Sequence, residues 1–243
     1  MKPLLRLAGI LGLVLLTAFV VVWAGWKLSN SRKYQTFGEL VTRVETADSV
    51  VALTFDDGPI PGYTDSVLKV LADSNVHATF FTRGAALHER PDIAARIVLA
   101  GHELGNHSYS HRRLVLKTPG YVRREIQQTD SLIRSAGHRG TIHFRPPYGK
   151  RLVVLPWILS RDDRAIILAD LEPDSHPGNA RDAARMVEYV KRNVRPGSII
   201  LLHVEIPSRT AGREALPRII GILHSAGYRF VTLSDLMRRG PHS

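Results

Sequence analysis

Val50-Val51-Ala52-Leu53-Thr54-Phe55-Asp56-Asp57-Gly58-Pro59 is an apolar run, rich in β-branched residues, that meets two adjacent carboxylates and then a Gly-Pro turn. Such a run reads as a buried strand delivering two acids at its C-terminal end. That is the end at which parallel α/β sheets place their chemistry. The plain alternative is that Asp56 and Asp57 only begin a turn, and these residues alone do not choose between the two. An acid pair closing a buried strand carries a desolvation cost, so a cation is expected within its reach.

Outward from this run, strand and helix alternate. Residues 63–74 place Val67, Leu68, Val70 and Leu71 at helical spacing, and 76–82 is a second strand. A helix through Ile93, Ile97 and Val98 is stopped by Gly101 and leads to a short strand at 102–104. Upstream, residues 37–46 are expected to be extended and to form a hairpin with the 50–55 strand. After the third strand comes Gly105-Asn106-His107-Ser108-Tyr109-Ser110-His111, with two histidines four residues apart. On a helical turn that spacing brings both imidazoles to one side, where they can act as two metal ligands. His102-Glu103 superficially suggests a zinc-protease helix, but the next histidine comes one residue too late and Gly105 interrupts the helix. If the loop after the third strand faces the acid pair, one carboxylate joins His107 and His111 in a three-ligand site with positions left for water and substrate.

In the second half, residues 119–136 form an amphipathic helix with Val122, Ile126, Thr129 and Ile133 inward and Arg123, Arg124 and Glu125 outward. Ile142-His143-Phe144 reads as a brief strand ending in Arg145-Pro146-Pro147-Tyr148-Gly149. Two prolines fix the turn after Arg145, which makes this arginine the candidate cation for Asp56. A fifth strand over 164–169 runs into Asp170-Leu171-Glu172-Pro173-Asp174, acids that could equally be helix caps. A helix over 180–194 precedes Ser198-Ile199-Ile200-Leu201-Leu202-His203, an apolar strand that ends in a histidine. A last helix over 213–226 and a strand over 229–233 bring the main series to seven strands. No P-loop, dinucleotide fingerprint or G-x-S-x-G elbow occurs.

The chain of 243 residues is 44% hydrophobic and suits one well-filled domain. Its net charge of +11 includes Lys2, Arg6, Lys27, Arg32 and Lys33 from an acid-free N-terminal stretch. Removing those five from the 33 basic residues leaves 28 against 22 acids, a surplus of six spread over helices, with no basic and aromatic interleaving that would suit a nucleic acid. The absence of cysteine excludes thiol catalysis, disulfides and Cys-type zinc sites. Leu7 to Trp26 holds no charge and is long enough to cross a bilayer, with Trp23 and Trp26 suited to the interface. An uncleaved anchor is favoured over a signal peptide cut after Val22-Trp23-Ala24, because the apolar core is long for a signal. The expected organisation is an anchor over 1–28, a stalk and lead-in segment over 29–48, and a catalytic domain over 49–243. Its placement is membrane-anchored and single-pass with the domain on the extracytoplasmic side, or secreted if the N-terminal segment is cleaved.

Taken together, T-F-D-D-G-P, H-S-Y-S-H, R-P-P-Y-G and L-L-H, in this order, resemble the polysaccharide deacetylases of the NodB-homology type, carbohydrate esterase family 4, over residues 50–235. The resemblance implies an α/β fold, a distorted (β/α)7 barrel, and one divalent metal ion, usually zinc. It implies Asp57, His107 and His111 as metal ligands and Asp56 as general base, with Arg145 orienting Asp56 and favouring its charged form. Tyr148 would meet the oxyanion through its backbone N–H. His203 would protonate the departing sugar amine, with Asp174 as its partner. Leu201, Pro146 and Tyr148 would line the substrate pocket. The implied reaction removes N-acetyl groups from an N-acetylglucosamine-containing polysaccharide of the cell envelope, and a monomer is expected.

Two departures concern the acyl group and sugar more than the hydrolysis. The family commonly has Asp-Trp where this chain has Asp174-Ser175, so the aromatic wall of the acetyl pocket is missing or supplied elsewhere. His203-Val204-Glu205 replaces the frequent His-Asp. Two alternatives therefore stand beside the leading one: the same fold acting on another amide or an O-acetyl ester, and an inactive membrane-tethered glycan-binding module. The latter is disfavoured because no expected ligand or base is lost.

Overall fold

The structure is a computed structural model that describes residues 2–240. Met1 and residues 241–243, at the outer limits of the expected anchor and catalytic domain, lie outside the described residues, as do the side chains of residues 2–8, Lys2 and Arg6 among them. The first element, α1 (Lys2–Asn30), is one continuous helix that runs past the expected boundary at residue 28. Its segment from Gly9 to Asn30 has a mean hydropathy of 2.2 and is long and apolar enough to cross a bilayer.

The quoted apolar run is the central strand, β2 (Val50–Asp56), buried along its whole length. It lies parallel to β3 (Thr79–Thr82) on one side and β6 (Ile199–Leu202) on the other, while its first residues also pair with β7 (Arg229–Val231). β3 in turn pairs with β4 (Glu103–Asn106), giving the order β4-β3-β2-β6. Being covered on both faces explains the unbroken apolar sequence. Val51, Leu53 and Phe55 pack against α2 (Tyr63–Asp73), α4 (Pro91–Leu99) and α8 (Thr210–Ser225). Val50 and Ala52 face the opposite, inner side with Phe81, Ile199 and Leu201. The two-residue period continues on that inner side through Thr54 to Asp56, so the strand itself aims Asp56 inward.

The expected hairpin at the lead-in does not form. β1 (Leu40–Val41) instead pairs parallel with β5 (Ile166–Ile167), because Val41 and Val44 are needed in the inner apolar cluster. The expected strand at 142–144 is reduced to Phe144, which bridges Asn106 on one side and Ile166 on the other. The two prolines that follow lack the N–H groups to extend a ladder. The strand expected over 164–169 is likewise only two residues long, and a further bridge joins Leu171 to Ile200. Seven strands thus occur among the described residues, with Leu40–Val41 counted and the Phe144 segment not. The remaining helices are α3 (Gly84–Glu89), α5 (Pro119–Ser135), α6 (Val154–Arg161), α7 (Ala183–Asn193) and α9 (Leu233–Met237).

Candidate active site

Asp56 sits at the end of β2 and is 3% exposed. Arg145 lies opposite, equally buried, and its Nη1 donates to Asp56 Oδ1 at 2.7 Å and to Thr54 Oγ1 at 2.9 Å. Nη2 donates to the Leu168 carbonyl at 3.2 Å, and the guanidinium carbon lies 4.1 Å from the centre of the Phe81 ring. This is the cation that the buried acid required. Burial by itself would raise the Asp56 pKa, but the charge of Arg145, followed by those of His107 and His203, holds it below the usual carboxylate value.

The next residue leaves the strand in a left-handed conformation, with Asp57 at φ 77°. The turn places its carboxylate beside two imidazoles: His111 Nε2 lies 3.1 Å and His107 Nε2 3.8 Å from Asp57 Oδ1. One donor atom from each of the three residues fits within 4.8 Å of the others. His107 Nδ1 is 2.7 Å from the Arg145 carbonyl, which only accepts, so Nδ1 donates there and Nε2 is the nitrogen turned to the acids. Asp57 Oδ1 is buried without a hydrogen-bond donor, an arrangement that costs free energy unless something positive binds there. Two imidazole nitrogens and one carboxylate oxygen are the donor set of a borderline divalent cation such as zinc. The residues therefore fit the metal that the sequence led us to expect. Burial, and then the neighbouring His107, push His111 down to about 4, so its imidazole is neutral and able to coordinate at neutral pH.

The histidines do not meet on a helical turn, as their spacing suggested. Residues 107–111 form an irregular loop in which Ser108 (φ 63°) and His111 (φ 57°) are left-handed. Three side chains outside the expected set build it. Asn106 Oδ1 accepts from the Ser108 N–H at 2.8 Å, Ser108 Oγ accepts from the His111 N–H at 3.1 Å, and Glu125 accepts from the N–H groups of Tyr109 and Ser110 at 3.0 and 2.8 Å. Glu125, expected outward on its helix, is 7% exposed. Its charge misled; its position, three after Val122 and four before Thr129, already placed it on the inward face. Asp57, Ser108, His111 and Tyr148 (φ 59°) are all left-handed non-glycine residues, and strain of this kind clusters at functional sites.

The opposite wall comes from β6. His203 follows its last residue, and Asp174, 0% exposed, accepts from the His203 N–H at 2.7 Å and lies 3.2 Å from its Nδ1. Burial alone would lower the His203 pKa. The hydrogen bond and charge of Asp174, with Asp56 and Asp57 beyond it, instead raise it to about 9. The competing acids are engaged elsewhere. Asp170 accepts from Ser198 Oγ and the Ile199 N–H, both at 2.8 Å, while Glu172 pairs with Arg32. Glu205, the residue in place of the frequent acid after histidine, is buried under the acid loop and accepts from Thr64 Oγ1. A Cβ at Gly58 would lie 2.2 Å from its carboxylate, so a larger residue there would force Glu205 to move.

Nine of the ten expected site residues border one cleft of about 520 Å³; the tenth, Asp174, lies behind His203. Leu201 and Pro146 contribute apolar wall beside Leu168 and Ile206. Tyr148 is 57% exposed at the rim, with its ring 4.8 Å from that of His111. Ser175, where an aromatic wall was expected, also lines the cleft, and among the described residues Tyr148 is the one Phe, Tyr or Trp that does.

The family profile described as polysaccharide deacetylase matches residues 43–162. A peptidoglycan-N-acetylglucosamine deacetylase of Bacillus cereus is 34% identical over 190 residues, covering 77% of this chain and 68% of the relative. A chitooligosaccharide deacetylase of Sinorhizobium fredii is 36% identical over 202 residues, covering 77% of this chain and 92% of the relative. The crystal structure of a peptidoglycan N-acetylglucosamine deacetylase superposes with a TM-score of 0.76 at 30% identity, covering 83% of this chain and 94% of the other.

Proposed function

Because the chain belongs to the polysaccharide deacetylases, carbohydrate esterase family 4 with NodB homology, and is a carbohydrate-deacetylating hydrolase, we propose that it removes N-acetyl groups from an N-acetylglucosamine-containing polysaccharide of the cell envelope. The observation that carries this reading is the meeting of Asp57, His107 and His111 within 4.8 Å of one another in a cleft that also holds the buried Asp56–Arg145 pair and His203.

In this reading Asp57, His107 and His111 hold one divalent metal ion, zinc by their donor chemistry, and a bound ion supplies polarisation of the acyl carbonyl and acidification of water. Asp56, kept ionised by Arg145, accepts the proton of the attacking water as its oxygen bonds to the acetamide carbon. The backbone N–H of Tyr148 is assigned to the oxyanion that develops. His203, protonated at neutral pH through Asp174, gives its proton to the nitrogen as the carbon–nitrogen bond breaks, so that acetate and a free sugar amine leave. Leu201 and Pro146 are assigned to the acetyl methyl group. Charge separation supports the two roles, since the environment pushes Asp56 down and His203 up.

The same reading places α1 in a membrane as an anchor over 1–28 (a signal peptide if cleaved), with a lead-in over 29–48 and an extracytoplasmic catalytic domain over 49–243 that acts as a monomer. It takes the architecture as the family's distorted seven-stranded barrel, supported by the bridges from β4 through Phe144 to β5 and from Leu171 to β6. Ser175 at the cleft favours a second reading, in which an acyl group of different shape, such as an O-acetyl ester, is the substrate. The test is acetate release by the metal-loaded protein from N-acetylglucosamine oligomers and from O-acetylated oligosaccharides. Release from the first, lost in Asp56→Asn, is expected; release only from the second selects the ester reading. Sugar binding without release from either would leave a glycan-binding module.

A further inference from the structure

The segment that follows α1 takes no part in the chemistry above, yet it is bound to the domain at many points. Arg151, 1% exposed, is the largest fully buried side chain among the described residues. Its Nη2 donates to the carbonyls of Ser31 at 2.5 Å and Tyr34 at 3.3 Å, its Nε to Gln35 Oε1 at 3.3 Å, and its Nη1 to the Gly149 carbonyl at 3.0 Å. Removing the guanidinium would orphan these acceptors, so the contact is built rather than incidental. On the same rim Lys150 binds Asn30 Oδ1, and Thr36 Oγ1 donates to the Leu152 carbonyl at 2.6 Å. Across the cleft Arg32 donates to the Ala169 carbonyl at 2.5 Å and pairs with Glu172. Asn30 and Arg32 line the same cleft as Asp56 and His203. What reads in the sequence as a stalk is therefore one wall of the cleft.

Asn30 is also the last residue of the apolar helix. Trp26, one turn earlier, is 60% exposed and Trp23 is 53% exposed, and Lys27 lies over both rings. Side chains of this kind settle at the headgroup level of a bilayer. At the rise of an α-helix, Trp26 and Asn30 are about 6 Å apart along the axis. No flexible spacer intervenes, so a helix embedded up to its tryptophans holds the cleft against the headgroups.

We propose that the docked segment 28–36 fixes the cleft at the membrane surface and directs the enzyme to N-acetylated glycan carried on a membrane lipid, in preference to glycan free in solution. This rests on the deacetylase reading of the cleft. The rim next to α1 carries Arg32 and Lys150, with Arg113 stacked on Tyr148 at 5.1 Å, and so suits the phosphate through which a lipid carrier holds its sugar.

The experiment uses the full chain reconstituted in phospholipid vesicles, with an N-acetylglucosamine oligosaccharide either coupled to a phospholipid in the same vesicles or free in solution. A 20-residue Gly-Ser segment inserted between Lys27 and Leu28 keeps the 28–36 docking but lets the domain wander by about 25 Å. Both chains share confinement to one surface, so fixed placement of the cleft should show as release from the lipid-borne sugar about tenfold faster for the unmodified chain than for the inserted one. The rate on the free sugar should be the same for both. Equal preference with and without the insertion, or release from the free sugar alone, overturns the proposal and leaves the deacetylase reading standing. Release from neither sugar by the unmodified chain removes both.

Discussion

The chain carries two acid runs at strand ends, and the fold treats them in opposite ways. Asp56 and Asp57 close the longest strand of the sheet and both turn into one cleft, where they meet Arg145, His107 and His111. Asp170, Glu172 and Asp174 follow a strand of only two residues and part company. Asp170 fastens the start of β6, Glu172 pairs with Arg32 near the surface, and Asp174 alone stands behind His203. A long strand with neighbours on both sides fixes the direction of each side chain at its end. A short, irregular segment leaves direction to whatever packs nearby.

This contrast can be broken by substitution, starting with the largest effect. Removing the metal with a chelator, or changing His107→Ala, should take acetate release to background and metal content well below one per chain, measured by elemental analysis. An undiminished rate would dissolve the meaning of the first cluster. Asp56→Asn should retain the metal and lower kcat by about 10²–10⁴, the usual span for a general base. A fall of less than tenfold would move the base elsewhere.

Asp174→Asn should cost less, on the order of 10², the low end of the span for general acid–base catalysis, and its signature is in the pH profile. In the proposed mechanism His203 acts as the acid in its protonated form, so activity should decline as pH rises through its folded value of about 9. A bound cation offsets the charges of Asp56 and Asp57 and draws that limb somewhat lower. Without the Asp174 charge the limb should fall further, towards the ordinary histidine value of about 6.5. A limb that stays in place would detach Asp174 from His203. The same pair contributes to stability in the same sense: its folded pKa is raised, so the contribution is full below about 6.5 and is lost as pH rises through about 9.

Asp170→Asn should leave kcat and the pH profile alone and cost roughly 1–3 kcal/mol of stability, because the Ser198 hydroxyl and Ile199 N–H lose a charged acceptor. Glu172→Gln should change stability by less than about 1 kcal/mol, since its pair with Arg32 is partly exposed. Thermal unfolding checks both. An Asp170 variant as inactive as the Asp174 variant would show that the two acids share one task and end the comparison.

Legibility followed the same division. The order of strands and helices, the buried central strand, the acid pair and the histidine pair suited to a metal could be read from local pattern, while the roles of base and acid came from the family resemblance. The two-residue lengths of β1 and β5, the reduction of the Phe144 segment to one bridge and the irregular His107–His111 loop could not, because each depends on partners far along the chain. Glu125 shows how a local rule misfires: its charge argued for solvent, but two backbone N–H groups of the histidine loop gave it a buried home.

The sequence by itself determined which groups were on hand: an apolar strand must be buried, an acid pair at its end needs a cation, and two histidines without cysteine confine the metal chemistry. Only the tertiary structure decided which cation answers Asp56, which of three acids stands behind His203, and that the chain after α1 is a wall of the cleft instead of a loose tether. The physical reason is range. Burial preference and strand period act over a few residues and are written locally, whereas a charge pair inside a protein forms between segments about 90 residues apart, Asp56 and Arg145, and is fixed only when the whole fold closes.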